Sequence, residues 1–387
     1  MRIARTSTGI EILAPAKVNL FLEVLGRRPD GYHEVETVMC PISLCDRLTF
    51  EPADTDEITF QLDLPAESRS PHPSRSTDPA WDIPGGAGNL VLRAAHLVRD
   101  RLRTRPLEDT APPRGDHLRT QHFHGGTDRS GTQHFDGEDS RPDGMLCPRG
   151  ARGAGEVPEG VLCPGPVRRL GGHIRLEKAI PAGAGLGGGS SDAAAVVTAC
   201  LLAWHRWDRK LATNVCAELG SDIPFFLGDK AGVGMAIATG RGEKCELIDA
   251  RPAFELVVTH PPEGCATQTI YQRFVKMGRT RNSREIIAGC ETGQVSKIGA
   301  ALFNALQSSA AEVTEWIDKQ LLLFSQCGAR YALMSGSGSS CFALIEDGHD
   351  FEEQVRTVAG LSGITRVYRS QAWYTPSIEA QTQWSAG

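Results

Sequence analysis

The stretch Pro181-Ala182-Gly183-Ala184-Gly185-Leu186-Gly187-Gly188-Gly189-Ser190-Ser191-Asp192-Ala193-Ala194-Ala195 governs how the rest of the chain is read. Glycine has no Cβ and tolerates positive φ, so successive backbone N–H groups in such a run can turn toward one anion. Ahead of it, 173–180 alternates Ile174 and Leu176 with charged residues, the pattern of a half-buried strand. Behind it, an alanine-rich apolar segment predicts a helix from about Ser191 to Trp204, whose N-terminal end favours negative charge. Ser190 and Ser191 can cap that helix or touch phosphate or magnesium. Strand, glycine loop and helix together make a phosphate site. No Lys follows the glycines as in GK[ST], and the spacing is not GxGxxG, so the neutralising charge must come from elsewhere in the chain.

Lys17 is the first candidate, in Ala14-Pro15-Ala16-Lys17-Val18-Asn19-Leu20. Strand periodicity puts Lys17 and Asn19 on one face, and a lysine turned inward from an apolar strand needs an anion. Its ordinary alternative is an edge lysine that snorkels to water. Gly220-Ser221-Asp222-Ile223-Pro224-Phe225-Phe226 sets a carboxylate beside a strongly apolar run. Asp there is commonly a cap or turn residue; beside Lys17 it would stay ionised and could accept a hydroxyl proton. The turn Gly26-Arg27-Arg28-Pro29-Asp30-Gly31-Tyr32-His33-Glu34 presents a ring and an imidazole together, either as a hairpin tip or as a site that stacks and reads a base. Met334-Ser335-Gly336-Ser337-Gly338-Ser339-Ser340 is a small-residue turn between two predicted strands, 331–333 and 341–345.

The bulk composition narrows the setting. With 387 residues the chain is long enough for two domains and an insertion. A net charge of −6 provides no global field for nucleic acid or an anionic membrane. Eleven cysteines without a CxxC pair, and no apolar leader after Met1, point to a reducing cytoplasm. No apolar run reaches the roughly 18 residues a membrane helix needs.

Strands are expected over 10–24, 34–44 and 47–64, with Asp46 as a turn between the last two. Helices are expected from Asn89 to about 102, over 210–219 and over 300–313, and a buried strand over 254–259. Between 105 and 170 apolar periodicity collapses into Gly, Pro, Asp, Arg and His, which reads as a disordered, low-complexity insertion. Thr120-Gln121-His122-Phe123 recurs there at 132–135, as duplication would leave it. His117, His122, His124 and His134 with Cys147 and Cys163 match no zinc spacing. The tail 373–387 lacks pattern.

Taken together, Pro15 to Leu20 with Asp30-Gly31-Tyr32-His33, the loop Gly185 to Ala195, and Ser335 to Ser340 resemble the GHMP kinase family. The resemblance covers about 10–104 and 171–370, and it implies an α+β fold with two domains. An N-terminal ATP-binding domain like ribosomal protein S5 domain 2 would span 1–104 and 171–249, and a ferredoxin-like domain 250–372. It implies direct phosphoryl transfer from ATP with magnesium to an alcohol, with Lys17 and Asp222 catalytic and no phosphoenzyme. By the same matching, Pro181, Gly183, Ala184, Gly185, Leu186, Gly187, Gly188, Gly189, Ser190 and Ser191 would wrap the phosphates, with Asn89 and Lys178 near adenosine. The member most resembled takes a cytidine-diphosphate-linked methylerythritol. His33 would then read cytosine between Tyr32 and Tyr271, and Asn19 and Thr267 would touch the acceptor. Homoserine, mevalonate or a sugar as acceptor, and a non-catalytic nucleotide binder, are the competing readings.

Overall fold

The computed structural model describes residues 1–65, 81–104, 169–276, 278, 280–346, 350–364 and 366–383. The expected insertion, with its histidines and repeats, therefore lies outside the described residues apart from Arg169 and Leu170. The chain begins with β1 (Arg2–Arg5), β2 (Ile10–Arg27), β3 (His33–Ala53), β4 (Ile58–Asp63), α1 (Leu90–Thr104) and β5 (Gly171–Glu177). Next come α2 (Gly188–Ala203), α3 (Arg209–Leu219), α4 (Ile223–Leu227), β6 (Ala236–Gly240) and β7 (Lys244–Leu247). The second half holds β8 (Glu255–His260), α5 (Thr267–Arg273), α6 (Arg284–Thr292), α7 (Val295–Ala300), β9 (Phe303–Asn304) and α8 (Gln307–Val313). It ends with α9 (Trp316–Gln326), β10 (Ala332–Met334), β11 (Cys341–Ile345), α10 (Glu352–Ser362), β12 (Arg366–Gln371) and α11 (Ile378–Gln381).

One sheet runs β1-β2-β3-β5-β4, with β6 added to β3, β7 to β6 and β9 to β2. The other is antiparallel, in the order β10-β11-β8-β12. Alternation along the strands distributes the core. Leu256, Val258, Phe342 and Leu344 meet Val18, Leu20, Val38 and Ile42 of the first sheet. Val257, Cys341 and Ala343, one residue out of phase, meet Ile317, Phe324, Val355 and Ala359 of the helices. A third cluster places α1 to α4 on the first sheet, and α2 is buried from Ser191 to Leu201 because its sequence is apolar all round. Both sheets belong to one compact unit, Met1–Thr104 together with the chain from Arg169 onward.

A register shift in β2 positions the later site. Ile12 and Ala14 feed the core under the helices, but Ala16, Val18 and Leu20, of the same parity, feed the core between the sheets. The change of face falls where pairing with β3 slips between Pro15 and Ala16. It turns Lys17 and Asn19 to the helix side of the sheet.

Three expectations need correction. Asp46 is no turn: β3 passes through it unbroken and it is fully buried, its carboxylate accepting from the Ala179 and Ile180 amides and from Lys178. The helix expected over 300–313 is broken at β9, where Phe303 pairs with Phe21 and the Asn304 side chain bonds Met334 and Gly336 carbonyls and the Leu306 amide. The tail is ordered as far as it is described, because Thr375 pairs with Val233 and Ile378 is buried in the first core.

Candidate active site

Gly183, Gly185 and Gly187 have φ of 64°, 73° and 71°, so every second residue of the loop adopts the left-handed conformation that glycine alone takes without strain. The loop's carbonyls are pinned by the scaffold. Ala184 O accepts from Ser340 N at 3.1 Å, Gly185 O from Ser335 Oγ at 3.0 Å, and Leu186 O from Lys17 N at 2.9 Å. In a trans peptide the N–H points opposite to the C=O, so three amides of the same peptide units face away from the scaffold. Helix α2 starts at Gly188, earlier than Ser191, with Gly187 as its cap and no side-chain capping bond. Both serines therefore sit inside the first turn rather than at the cap. Ser190 is partly exposed, whereas the Ser191 hydroxyl is buried without a hydrogen-bond partner among the described residues. Open first-turn amides and the helix dipole make this an anion cradle.

Lys17 lies under the cradle. Its stem supports the loop: a Cβ on Gly187 would stand 3.1 Å from Lys17 Cγ, so a side chain there would push on the lysine. Nζ donates to Asn19 Oδ1 at 2.5 Å, and Asn19 Nδ2 donates to Thr37 Oγ1 at 2.8 Å. Burial draws the ammonium below the usual lysine range, and the negative charge of Asp222 opposes that. Asp222 occupies the cap position of α4, yet its side chain makes no capping bond, so the ordinary use of an Asp at this place is absent. The carboxylate instead lies against Gly242, where a Cβ would come within 3.2 Å of Oδ1.

Tyr271 senses the same carboxylate: burial first, then Asp222, pushes its phenol up. The Tyr271 ring faces His33 at 5.1 Å and 31°, and burial and Arg27 hold that imidazole below its ordinary range. Tyr32 is 56% exposed and stacks under the Arg241 guanidinium at 4.8 Å rather than on Tyr271. Thr267 meets Ser337 through their hydroxyls at 2.8 Å. The turn 335–340 thus bridges the glycine loop and the Thr267 segment, and a Cβ on Gly336 would fall 3.3 Å from Lys17 Nζ.

Two residues expected near adenosine have other partners. Asn89 caps α1, accepting from the Val91 amide at 2.9 Å while donating to Pro84 O. Lys178 is buried between Asp46 and Asp192 at 2.5 and 2.7 Å. Burial and the neighbouring Asp46 push Asp192 up, the Lys178 ammonium opposes that, and Asp192 and Asp46 overcome burial to hold the ammonium above its usual range. The sequence does not single out Arg241 and Asn304, marks Asp46 only as a turn, and shows Asp192 within the loop motif without a role of its own. Asp192 was legible in principle, since it belongs to that motif; the others join through tertiary contacts with no local signal. Among the described residues no group of three or more His, Cys, Asp or Glu has a metal-holding arrangement, and no helix is long and apolar enough to cross a membrane.

The family description "GHMP kinases N terminal domain" matches residues 160–230, and "GHMP kinases C terminal" matches 286–360. A 4-diphosphocytidyl-2-C-methyl-D-erythritol kinase from Pelotomaculum thermopropionicum is 34% identical over 346 residues, 87% of this chain and 90% of the relative. The chain belongs to the GHMP kinase family. A second relative of the same name, from Listeria welshimeri, is 30% identical over 94% of this chain and 96% of its own length. A crystal structure of 4-(cytidine 5'-diphospho)-2C-methyl-D-erythritol kinase superposes with a TM-score of 0.58 at 27% identity, covering 93% of this chain and 98% of that one. The α+β fold expected from the motifs is the GHMP kinase fold.

Proposed function

We propose that this GHMP kinase transfers the terminal phosphoryl group of ATP to the 2-hydroxyl of 4-(cytidine 5'-diphospho)-2-C-methyl-D-erythritol, in non-mevalonate isoprenoid precursor synthesis. The observation that carries the reading is the His33–Tyr271 ring pair beside Asp222, because an acceptor without a base has no use for it. His33 reads the cytosine edge while the Tyr271 and Tyr32 rings offer faces for stacking. Relatives with this acceptor in their names support the same choice.

Residues 183–191 wrap the triphosphate through the amides up to Ser190, since that of Ser191 donates to Gly187 O, and Asn89 shapes the 84–88 segment on the adenosine side. Asp222 accepts the proton of the attacking hydroxyl, and Lys17 keeps that carboxylate ionised and stabilises charge that develops in transfer. Asn19 orients Lys17, and Thr267 with Ser337 borders the acceptor. Magnesium would neutralise phosphate charge when bound; the Ser191 hydroxyl and Asp192 Oδ1, both buried without a partner among the described residues, are the oxygen donors such an ion takes. Positioning and electrostatics supply most of the rate enhancement. A coupled ADP-release assay with the cytidylyl acceptor beside mevalonate, homoserine and galactose tests the reading. Turnover confined to one of the latter three would overturn it.

A further inference from the structure

The glycine loop has an entry at Ala179 and Ile180 and an exit at Asp192, and one carboxylate reaches both. Asp46 Oδ1 accepts from the Ala179 amide at 2.6 Å and the Ile180 amide at 2.9 Å. Its Oδ2 takes the Lys178 ammonium at 2.5 Å, and that ammonium also donates to Asp192 Oδ2 at 2.7 Å, inside the first turns of α2. Strand pairing explains why Asp46 stands there. Arg47 pairs with Glu177 across antiparallel β3 and β5, so the preceding residue of β3, Asp46, falls opposite the point where β5 becomes the loop. The Lys178 ammonium lies beneath the helix start, 3.4 Å from where a Cβ on Gly188 would be.

Two carboxylates and one ammonium with no more than 6% exposure are an expensive way to fill a core, since apolar residues of similar volume commonly serve stability as well or better. What such a group provides is fixed geometry, provided its hydrogen bonds are made. Here they are made to the two residues that lead into the loop and to the helix that leaves it. We propose that Asp46 is a positioning residue for ATP, clamping both ends of the glycine loop through the Ala179 and Ile180 amides and the Lys178–Asp192 bridge. The inference rests on the reading of that loop as the nucleotide phosphate site. Asp46 touches no substrate; it acts by holding the loop and first-turn amides up to Ser190 at the spacing a triphosphate requires.

The test compares Asp46→Ala and Asp46→Asn with the unaltered full-length chain. Nucleotide affinity is measured calorimetrically with adenylyl imidodiphosphate, cytidine-site affinity with CDP, and both Michaelis constants in the ADP-release assay. Asp46→Ala should raise KM for ATP and weaken the ATP analogue roughly ten- to hundredfold, the range spanned by one charge-assisted hydrogen bond or more. CDP affinity and the acceptor KM should stay within about twofold of the original. Asp46→Asn keeps an oxygen for the two amides but loses the charge that holds Lys178, so it should fall between. A cooperatively melting Asp46→Ala protein with unchanged analogue affinity would overturn the proposal, as would equal weakening of both ligands. Should the alanine variant fail to fold, Asp46→Asn is judged on the same two affinities, and unchanged analogue binding overturns the clamp. Failure of the unaltered chain to phosphorylate the cytidylyl acceptor while still binding the ATP analogue would reject the acceptor and leave this test intact.

Discussion

Asp222 and Tyr271 share an electrostatic neighbourhood, yet their losses should be felt in different constants. Asp222 makes no capping bond, so Asp222→Asn removes the proton acceptor without unfastening α4. Turnover should fall by roughly 10²–10⁴, the contribution typical of a positioned general base, while calorimetric binding of an ATP analogue persists. Near-normal kcat would remove Asp222 from the chemistry. Tyr271 is expected to act through its ring. Tyr271→Phe should leave the acceptor KM close to the original, whereas Tyr271→Leu should raise it, since base–aromatic stacking is worth about 1–3 kcal/mol. Equal effects of the two substitutions would show that the hydroxyl, not the ring, matters. Lys17 and Asn19 were readable from period-two spacing alone, but the reason they point to the loop was not: it is the slip in β2 pairing after Pro15, a property of two strands.

At the scale of the element, the glycine loop separates two costs that the sequence writes with the same letter. Gly183 and Gly185 both have positive φ, but a Cβ on Gly183 meets open space, whereas on Gly185 it would lie 2.3 Å from Ser335 O. Gly183→Ala should therefore cost only the left-handed penalty, about 1–2 kcal/mol, with a modest rise in KM for ATP. Gly185→Ala must also expel the 335–340 turn, and it should lower the melting temperature further and weaken nucleotide and acceptor together. Thermal melts with both Michaelis constants check this, and equal behaviour of the two variants would contradict it. The contrast marks what was legible. The strand–loop–helix order around 181–195 is local, and it was read correctly. The break at Phe303–Asn304 was not, because Asn304 leaves helical geometry to reach the Met334 and Gly336 carbonyls, distant in sequence. Asp46 was misread for a related reason: Asp is a turn residue unless tertiary amides satisfy it, and here those of Ala179 and Ile180 do.

At the scale of the molecule, the tail that lacks pattern in sequence fastens onto the first sheet. Trp373 N donates to Pro41 O, Thr375 pairs with Val233, and Gln381 exchanges hydrogen bonds with Ile3 and Met1, so the tail returns to the first sheet. Its strongest fastening is Glu379, which accepts from Arg209 Nε at 2.8 Å, from a terminal Arg209 nitrogen at 2.6 Å and from Trp207 Nε1 at 3.1 Å. Arg209 chiefly holds this carboxyl at about 2, well below its ordinary 4.5. A carboxylate whose pKa falls on folding adds stability that is complete above the unfolded value and lost as pH drops from about 4.5 toward about 2. The Glu379 side chain is 41% exposed, so solvent screening keeps the contribution near the upper end of surface pairs, about 1 kcal/mol. Glu379→Ala should lower the melting temperature by roughly 2 °C at neutral pH, as expected for so large a unit. Below pH 4.5 the gap between variant and unaltered protein should narrow, because the unfolded chain takes up a proton at Glu379 that the folded chain does not bind until about pH 2. Melting curves at pH 7 and pH 3 decide the matter: a gap of the same size at both would assign the tail's hold to Ile378 packing and its backbone pairing instead of to the Arg209 fork.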